Sequence, residues 1–234
     1  MTQPSQPPLT LQPPSTQQQP LQQPLNTRIQ QMLSDASVCV QTLPQCQQIK
    51  LWLVEPEAMR RPFSQQEILS IQSYPAYWAF CWASGQVLAR AILQNPEWVK
   101  GKKVMDFGAG SGVVAIACVI AGAREVIACD IDPDALLACS ANARLNQVDY
   151  RVHGDLFDFD EPLDLLIAAD VLYDKANLPL LEIFRKKANQ VLVADSRVKD
   201  FNFPPYQKIG REESFTVPDL DELDEFRWVN LYKA

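Results

Sequence analysis

Three closely spaced glycines follow a short apolar segment near the middle of the chain. The segment Val104–Gly112 reads Val-Met-Asp-Phe-Gly-Ala-Gly-Ser-Gly, and an apolar run follows it. This order predicts a strand, a tight loop and a helix. At Gly108 and Gly110, with Ala109 between them, the backbone can turn sharply and come close to a ligand. The helix would add free N–H groups and a positive dipole end, so we predict a ligand-binding loop.

Two details distinguish the ligands that such a loop can hold, a dinucleotide pyrophosphate or the carboxylate of a methionine moiety. Dinucleotide-binding loops need a small residue at the position where this chain has Val113. An acid, Asp106, precedes the glycines, where it would repel a phosphate but could hold an amino group directly or through water. A zwitterionic cofactor, S-adenosylmethionine, therefore fits the loop better than NAD does.

Two further acids end or follow the next predicted strands. Asp130 ends the second strand, where a carboxylate can accept hydrogen bonds from both hydroxyls of a ribose, and Ile131 beside it belongs to the same expected site. Asp155 follows the third strand and is placed to accept a hydrogen bond from an adenine amino group. For Asp155 and Asp132, solvated loop acids are the alternative interpretation.

Strands and helices alternate after residue 100, which predicts the framework that positions these acids. We predict an α/β fold, a Rossmann-like and mainly parallel seven-stranded sheet that ends in a C-terminal β-hairpin. The predicted strands are Lys103–Phe107, Glu125–Asp130, Asp149–His153, Leu163–Ala168 and Gln190–Asp195. The predicted helices are Gly112–Ala121, Pro133–Asn146 and Ala176–Ala188, and the hairpin comprises Gln207–Val217 and Glu225–Lys233. A preceding helix is predicted from Tyr77, because Trp78, Trp82 and the apolar residues after them recur near the helical period.

The first third of the chain differs in composition from the rest. Residues 1–25 are rich in Gln and Pro and carry almost no charge, which predicts a disordered tail. We expect residues 26–74 to form an N-terminal extension, with a helix over Asn26–Ser37 and a strand over Gln48–Val54, and residues 75–234 to form the main domain.

Charge, cysteines and hydropathy restrict the partners. The net charge of −7 argues against binding of nucleic acid. Six cysteines without a CxxC pair indicate buried thiols in a reducing compartment and no metal site. No long apolar run and no signal or transit segment occurs, so we expect a cytoplasmic protein that does not enter a membrane.

Four segments of the chain resemble the electron-transfer-flavoprotein β-subunit lysine methyltransferases, a family of seven-strand methyltransferases. The match runs from about Ile49 to the C-terminus. Its segments are Tyr77–Gly85 (family pattern YWxxxWPSG), Asp106–Gly112 (DxGxGxG), Cys129–Pro133 (NDIDP) and Asp170–Asp174 (DxxYD). Ala83 replaces the usual proline and Cys129 the frequent asparagine, and neither change removes a group that the chemistry needs.

The resemblance implies an enzyme that transfers a methyl group from S-adenosylmethionine to a lysine of a protein, with the electron transfer flavoprotein β-subunit or a ribosomal protein as candidate partners. It implies that Asp170 orients or deprotonates the acceptor amine and that Tyr173 hydrogen-bonds nearby. Trp82 is expected at the cofactor, and Trp78, Trp82 and Tyr173 could form an aromatic channel that desolvates the lysine. Two alternatives stay open, a methyltransferase for a small nitrogen heterocycle such as nicotinamide and a non-catalytic module that binds the cofactor.

Overall fold

A seven-stranded sheet forms the centre of the protein in the computed structural model, which describes residues 19–198 and 201–234. The strands are β1 Val38–Leu43, β2 Cys46–Val54, β3 Lys103–Phe107, β4 Glu125–Cys129, β5 Arg151–His153, β6 Leu163–Ala169, β7 Ala188–Asp195, β8 Gln207–Glu213 and β9 Trp228–Lys233. The α-helices are α1 Gln19–Met32, α2 Pro56–Met59, α3 Gln65–Ser73, α4 Ala83–Gln94, α5 Val113–Ile120, α6 Pro133–Leu145 and α7 Leu180–Lys187.

The strand order is β5-β4-β3-β6-β7-β9-β8. Strands β3 to β7 pair in parallel, whereas β9 runs antiparallel to both β7 and β8. The predicted fold class is therefore confirmed, including the final hairpin. Because β3, β4, β6 and β7 are parallel, the loops that follow them all leave the sheet at one edge, its carboxyl edge.

Both faces of the central strands are buried. Successive side chains of a strand point to opposite faces, so Val104 packs with α4 and α5 while Met105 packs with Phe184 of α7. This explains why the central strands are nearly continuous apolar runs, as parallel strands covered on both faces require.

The N-terminal region packs against α6. Leu25 and Ile29 of α1 are fully buried in one cluster with Ala138 of α6. The Asn142 side chain of α6 accepts a hydrogen bond from the Trp52 backbone N–H (2.7 Å) and donates one to the Ser111 carbonyl (2.8 Å). The region thus supports the glycine loop from behind, and a domain boundary at residue 75 stays a prediction.

The predicted disorder of residues 19–25 is wrong, because α1 begins at Gln19. The Gln- and Pro-rich composition hides a helical pattern. Within it, Leu21, Leu25 and Ile29 recur at helical spacing and supply an apolar stripe. Residues 1–18 of the predicted tail lie outside the described residues. The predicted helix Asn26–Ser37 is also displaced, since Asn26 lies within α1 and its side chain accepts a hydrogen bond from the Val38 N–H (2.8 Å).

The helix predicted from Tyr77 begins only at Ala83. Cys81 forms an isolated antiparallel bridge with Val217, donating to and accepting from its backbone at 2.8 Å in each case, so the Cys81 backbone is not available to a helix. Trp82 lies just before α4 in an extended conformation. Similarly, the helix predicted from Ala176 begins at Leu180, after Pro179, which has no N–H to donate.

Candidate functional site

The glycine loop joins β3 to α5 and adopts backbone conformations that favour glycine. Gly108 has φ +67° and Gly112 has φ +77°. A Cβ at Gly112 would lie 2.6 Å from the Tyr150 hydroxyl, and one at Gly108 would lie 2.8 Å from Cγ1 of Val171. The loop is fastened to the next strand, since the N–H groups of Gly108 and Ala109 both donate to the Cys129 carbonyl (2.8 and 3.1 Å). A bulkier loop would therefore not fit between its neighbours.

Asp106 lies behind this loop and is 2% exposed. Its Oδ2 accepts a hydrogen bond from the Ala115 N–H in the first turn of α5 (3.0 Å). Burial, which removes the hydration of the charged carboxylate, raises the pKa of Asp106 to about 7, and the charge of Asp130 contributes a smaller part of this increase. The structure thus makes Asp106 a support for α5, and contact with a cofactor amino group stays a prediction.

Asp130 comes directly after β4 and its carboxylate reaches the glycine loop. Oδ2 accepts a hydrogen bond from the Gly110 N–H (2.9 Å), and Oδ1 accepts one from the Asp132 N–H (3.0 Å). Burial raises its pKa, despite these two backbone hydrogen bonds. The adjoining Ile131 is 80% exposed, an unusual position for a large apolar side chain. An acid with free lone pairs beside an open apolar surface suits a ribose and a base.

Asp155 and Asp132, which could also be solvated loop acids by sequence alone, each cap a helical turn. Asp155 accepts a hydrogen bond from the Phe157 N–H (2.9 Å), at the start of a short 3₁₀ turn. Asp132 accepts one from the Asp134 N–H (2.8 Å), at the start of α6. Asp155 follows β5 and is half-buried, and its contact with adenine stays a prediction.

Asp170 follows β6 and connects three parts of the site. Its Oδ1 accepts hydrogen bonds from both the N–H (3.0 Å) and the hydroxyl (2.8 Å) of Ser196, directly after β7. Its Oδ2 accepts one from the Ser84 N–H in the first turn of α4 (3.1 Å). The backbone of Asp170 has φ +50°, a strained value for a residue other than glycine, and such strain often occurs at functional sites. The carboxylate is therefore held in place, next to the segment that carries Trp82.

Aromatic side chains gather at the carboxyl edge of the sheet, and we call Tyr77, Trp82 and Tyr173 the aromatic group. The Tyr77 ring lies 5.8 Å from that of Trp82 and 5.9 Å from that of Tyr173, between centroids. The Trp82 Nε1–H donates to the Tyr77 carbonyl (3.0 Å), which fixes its ring. Trp78, in contrast, is fully buried and donates to the Tyr74 hydroxyl, so it belongs to the core and not to a channel.

Tyr173 of the aromatic group is within reach of the charge of Asp130. Burial raises the pKa of the Tyr173 hydroxyl, and nearby Tyr77, Asp174 and Asp130 add to that increase. Tyr77 and Tyr173 are 48% and 59% exposed. Tyr77 was not among the predicted site residues, although it begins the Tyr77–Gly85 segment, and neither were Ser84 and Ser196. Ser84 lies in the same segment, as the serine of its family pattern, so a signal was available there. For Ser196 there was none, because its contact with Asp170 arises only when β6 and β7 pair.

The structure brings the predicted residues to one edge of the sheet. Gly108, Ala109, Gly110, Asp130 and Ile131 follow β3 and β4, while Asp170 and Tyr173 follow β6 and Trp82 precedes α4. Among residues 19–198 and 201–234, no group of three or more His, Cys, Asp or Glu residues could hold a metal ion. No helix in those ranges is long and apolar enough to cross a bilayer.

This sheet order and the acid-flanked loop define a Rossmann-like methyltransferase fold. The solved structure of a candidate RNA methyltransferase from Pyrococcus horikoshii shares the fold, with a TM-score of 0.50 at 20% identity, over 64% of this chain and 81% of that one. The family model for ribosomal protein L11 methyltransferases matches residues 90–186.

Two similar proteins indicate which family of methyltransferases the chain belongs to. The chain is 33% identical to the electron transfer flavoprotein beta subunit lysine methyltransferase homolog of Caenorhabditis elegans, over 79% of this chain and 70% of that protein. It is 32% identical to the rat enzyme, over 63% of this chain and 62% of that protein. The chain therefore belongs to the electron transfer flavoprotein β-subunit lysine methyltransferase family. It spans 48% to 62% of the length of the vertebrate relatives that it matches.

Proposed function

We propose that this protein transfers a methyl group from S-adenosylmethionine to the side-chain amine of a lysine in another protein. The observation that carries the proposal is the open aromatic group at the same edge of the sheet as the glycine loop and Asp130. Half-exposed rings can receive a long side chain from a partner protein, and an adjacent loop can present the methyl donor.

The acids of the site suit this cofactor. Burial raises the pKa of both Asp106 and Asp130, so each carboxylate is short of compensating positive charge. The ammonium and sulfonium groups of S-adenosylmethionine would supply that charge, whereas a pyrophosphate would add repulsion. In the proposed arrangement Asp130 accepts from the ribose hydroxyls, Ile131 packs on the adenine and Asp155 accepts from its amino group. When bound, the cofactor supplies the electrophilic methyl carbon.

The chain's own residues prepare the acceptor amine. A lysine is protonated in water at neutral pH, with a reference pKa near 10.4, and must lose its proton before it attacks. The rings of Tyr77, Trp82 and Tyr173 would lower the lysine pKa by excluding water and would attract the cation on entry. Asp170, held by Ser84 and Ser196, would orient the amine or accept its proton. No covalent intermediate on the protein is needed.

The names of the relatives suggest acceptors to test first. The electron transfer flavoprotein β-subunit and ribosomal protein L11 are the substrates in those names, and we propose a protein acceptor of this kind. Nicotinamide represents the small-molecule alternative, which the half-exposed rings disfavour because a small substrate is usually enclosed. We further propose that the protein acts in the cytoplasm, which its free cysteines would suit.

A mass-spectrometric assay tests the proposal. The protein is incubated with S-adenosylmethionine and, separately, with purified flavoprotein β-subunit, ribosomal protein L11 and nicotinamide. We expect methyl additions on lysine residues of a protein acceptor, and none when NAD replaces the cofactor. Methylation of nicotinamide alone would favour the alternative. Cofactor binding without methylation of any acceptor, including proteins of the source lysate, would favour the non-catalytic module.

A further inference from the structure

A cavity of about 330 Å³ opens beside the candidate site, where β7 meets the β8–β9 hairpin. Ser196 lines it and also donates its hydroxyl to Asp170. The strand register places Asp195 of β7 opposite Asn230 of β9, and Asn230 opposite Arg211 of β8. Asn230 and Arg211 also line the cavity, which therefore lies at the carboxyl edge of the sheet, next to the proposed position of the acceptor amine.

Among the described residues that line the cavity, positive side chains outnumber negative ones. Lys208 and Arg211 line it together with one acid, Glu225. Nearby arginines are all ion-paired: Arg90 with Glu212, Arg197 with Glu222 and Arg227 with Asp219 and Asp224. Within the described ranges, by contrast, no acidic residue forms an ion pair with Lys208 or Arg211. In a chain with a net charge of −7, two such cations at one cavity point to an anionic ligand.

Two further features make the cavity suitable for a peptide. The Arg211 guanidinium lies over the Trp228 ring, 4.4 Å from its centroid, and this stacking fixes the group in the cavity wall. Asn230 also lines the cavity and offers a polar side chain opposite Arg211 in the strand register. A carboxylate on the polar backbone of a peptide matches both features.

We propose that this cavity binds an acidic side chain of the protein acceptor, near the lysine that receives the methyl group. The carboxylate contacts Arg211 and Lys208, and the backbone of the same segment lies beside Asn230. Through Ser196 the cavity adjoins Asp170, so a bound acidic residue fixes the position of the lysine relative to the methyl donor. This inference rests on the proposed function, because it specifies which lysines are methylated.

Matched peptides test the inference. Each pair contains one central lysine and differs only by Glu or Gln at one flanking position, and the position is scanned on both sides. We expect kcat/KM to be about two- to fivefold higher for the Glu member at one position or a few adjacent ones, the range for a partly exposed ion pair. Lys208→Glu and Arg211→Glu should each abolish this preference, so that the Glu peptide of a pair no longer reacts faster than the Gln peptide.

Lys100→Glu is the matched control, because Lys100 is exposed before β3, at the opposite edge of the sheet. It should keep the preference, and calorimetry should give the same cofactor affinity for all three variants. Equal rates on Glu and Gln peptides with the wild-type protein would overturn the inference and leave the proposed function standing. If the wild-type protein binds the cofactor but methylates neither these peptides nor any protein of the source lysate, the proposed function and this inference are both contradicted.

Discussion

Asp106 offers the sharpest test of the electrostatics of the site. The residue is 2% exposed, and burial raises the pKa of its carboxyl from 3.8 to about 7. Below pH 3.8 the group is protonated in the folded and the unfolded chain, so it adds no pH dependence. Between the two values only the folded protein keeps the proton, so the wild-type protein loses stability as the pH rises through 7. Asp106→Asn removes this titration and keeps an oxygen for the Ala115 N–H.

The expected size follows from the shift, which is 7 minus 3.8, or about 3 pH units. At 1.36 kcal/mol per unit the full effect is about 4 kcal/mol, of which about 3 kcal/mol develops between pH 4.5 and pH 8. Denaturant unfolding of both proteins across this range measures it, because the groups that do not interact with Asp106 cancel in the difference. We expect the free energy of unfolding of the wild-type protein, relative to Asp106→Asn, to fall as the pH rises. Parallel curves for the two proteins would refute the reasoning.

Three other substitutions test separate parts of the structure. Asp130→Ala should weaken cofactor binding by about 1.5 to 3 kcal/mol in calorimetry, the usual cost of losing hydrogen bonds to a charged group; unchanged binding would remove Asp130 from the site. Asp170→Asn should lower turnover by roughly 10²-fold with a much smaller change in cofactor affinity, because an amide cannot accept from both Ser84 and Ser196 and has no charge; near-normal turnover would exclude a role in the reaction. Leu25→Ala should lower the free energy of unfolding by about 2 to 5 kcal/mol, because Leu25 is fully buried; a negligible loss would show that α1 is dispensable.

The central fold could be predicted because its signals are local. The run before Gly108 and the apolar helix after Gly112 have the order that a strand, loop and helix require, and the same alternation repeats to β7. The final hairpin was predictable from its turn-rich centre. The sequence did not predict α1, because its Gln- and Pro-rich composition hid the helical period of its apolar residues. It predicted a helix from Tyr77 that is absent before Ala83, because Cys81 pairs with the distant Val217.

Only part of the candidate site was predictable, because only some of its positions follow from local sequence patterns. Asp106, Asp130 and the loop glycines lie at fixed places relative to predicted strands, so their positions follow from the fold. The contacts of Asp170 with Ser84 and Ser196 join segments far apart in the chain, and the ring contact of Tyr77 with Tyr173 does so as well. No local pattern encodes such pairs.

The central claim is that the acceptor is a lysine of a protein. The most direct measurement incubates the protein with S-adenosylmethionine carrying a radiolabelled methyl group and a lysate of its own source, separates proteins from small molecules, and hydrolyses the labelled proteins to amino acids. Our account predicts that the label appears in the protein fraction as methylated lysine, and that Asp170→Asn largely removes it. Label confined to small molecules, or recovered in proteins on a residue other than lysine, would contradict it.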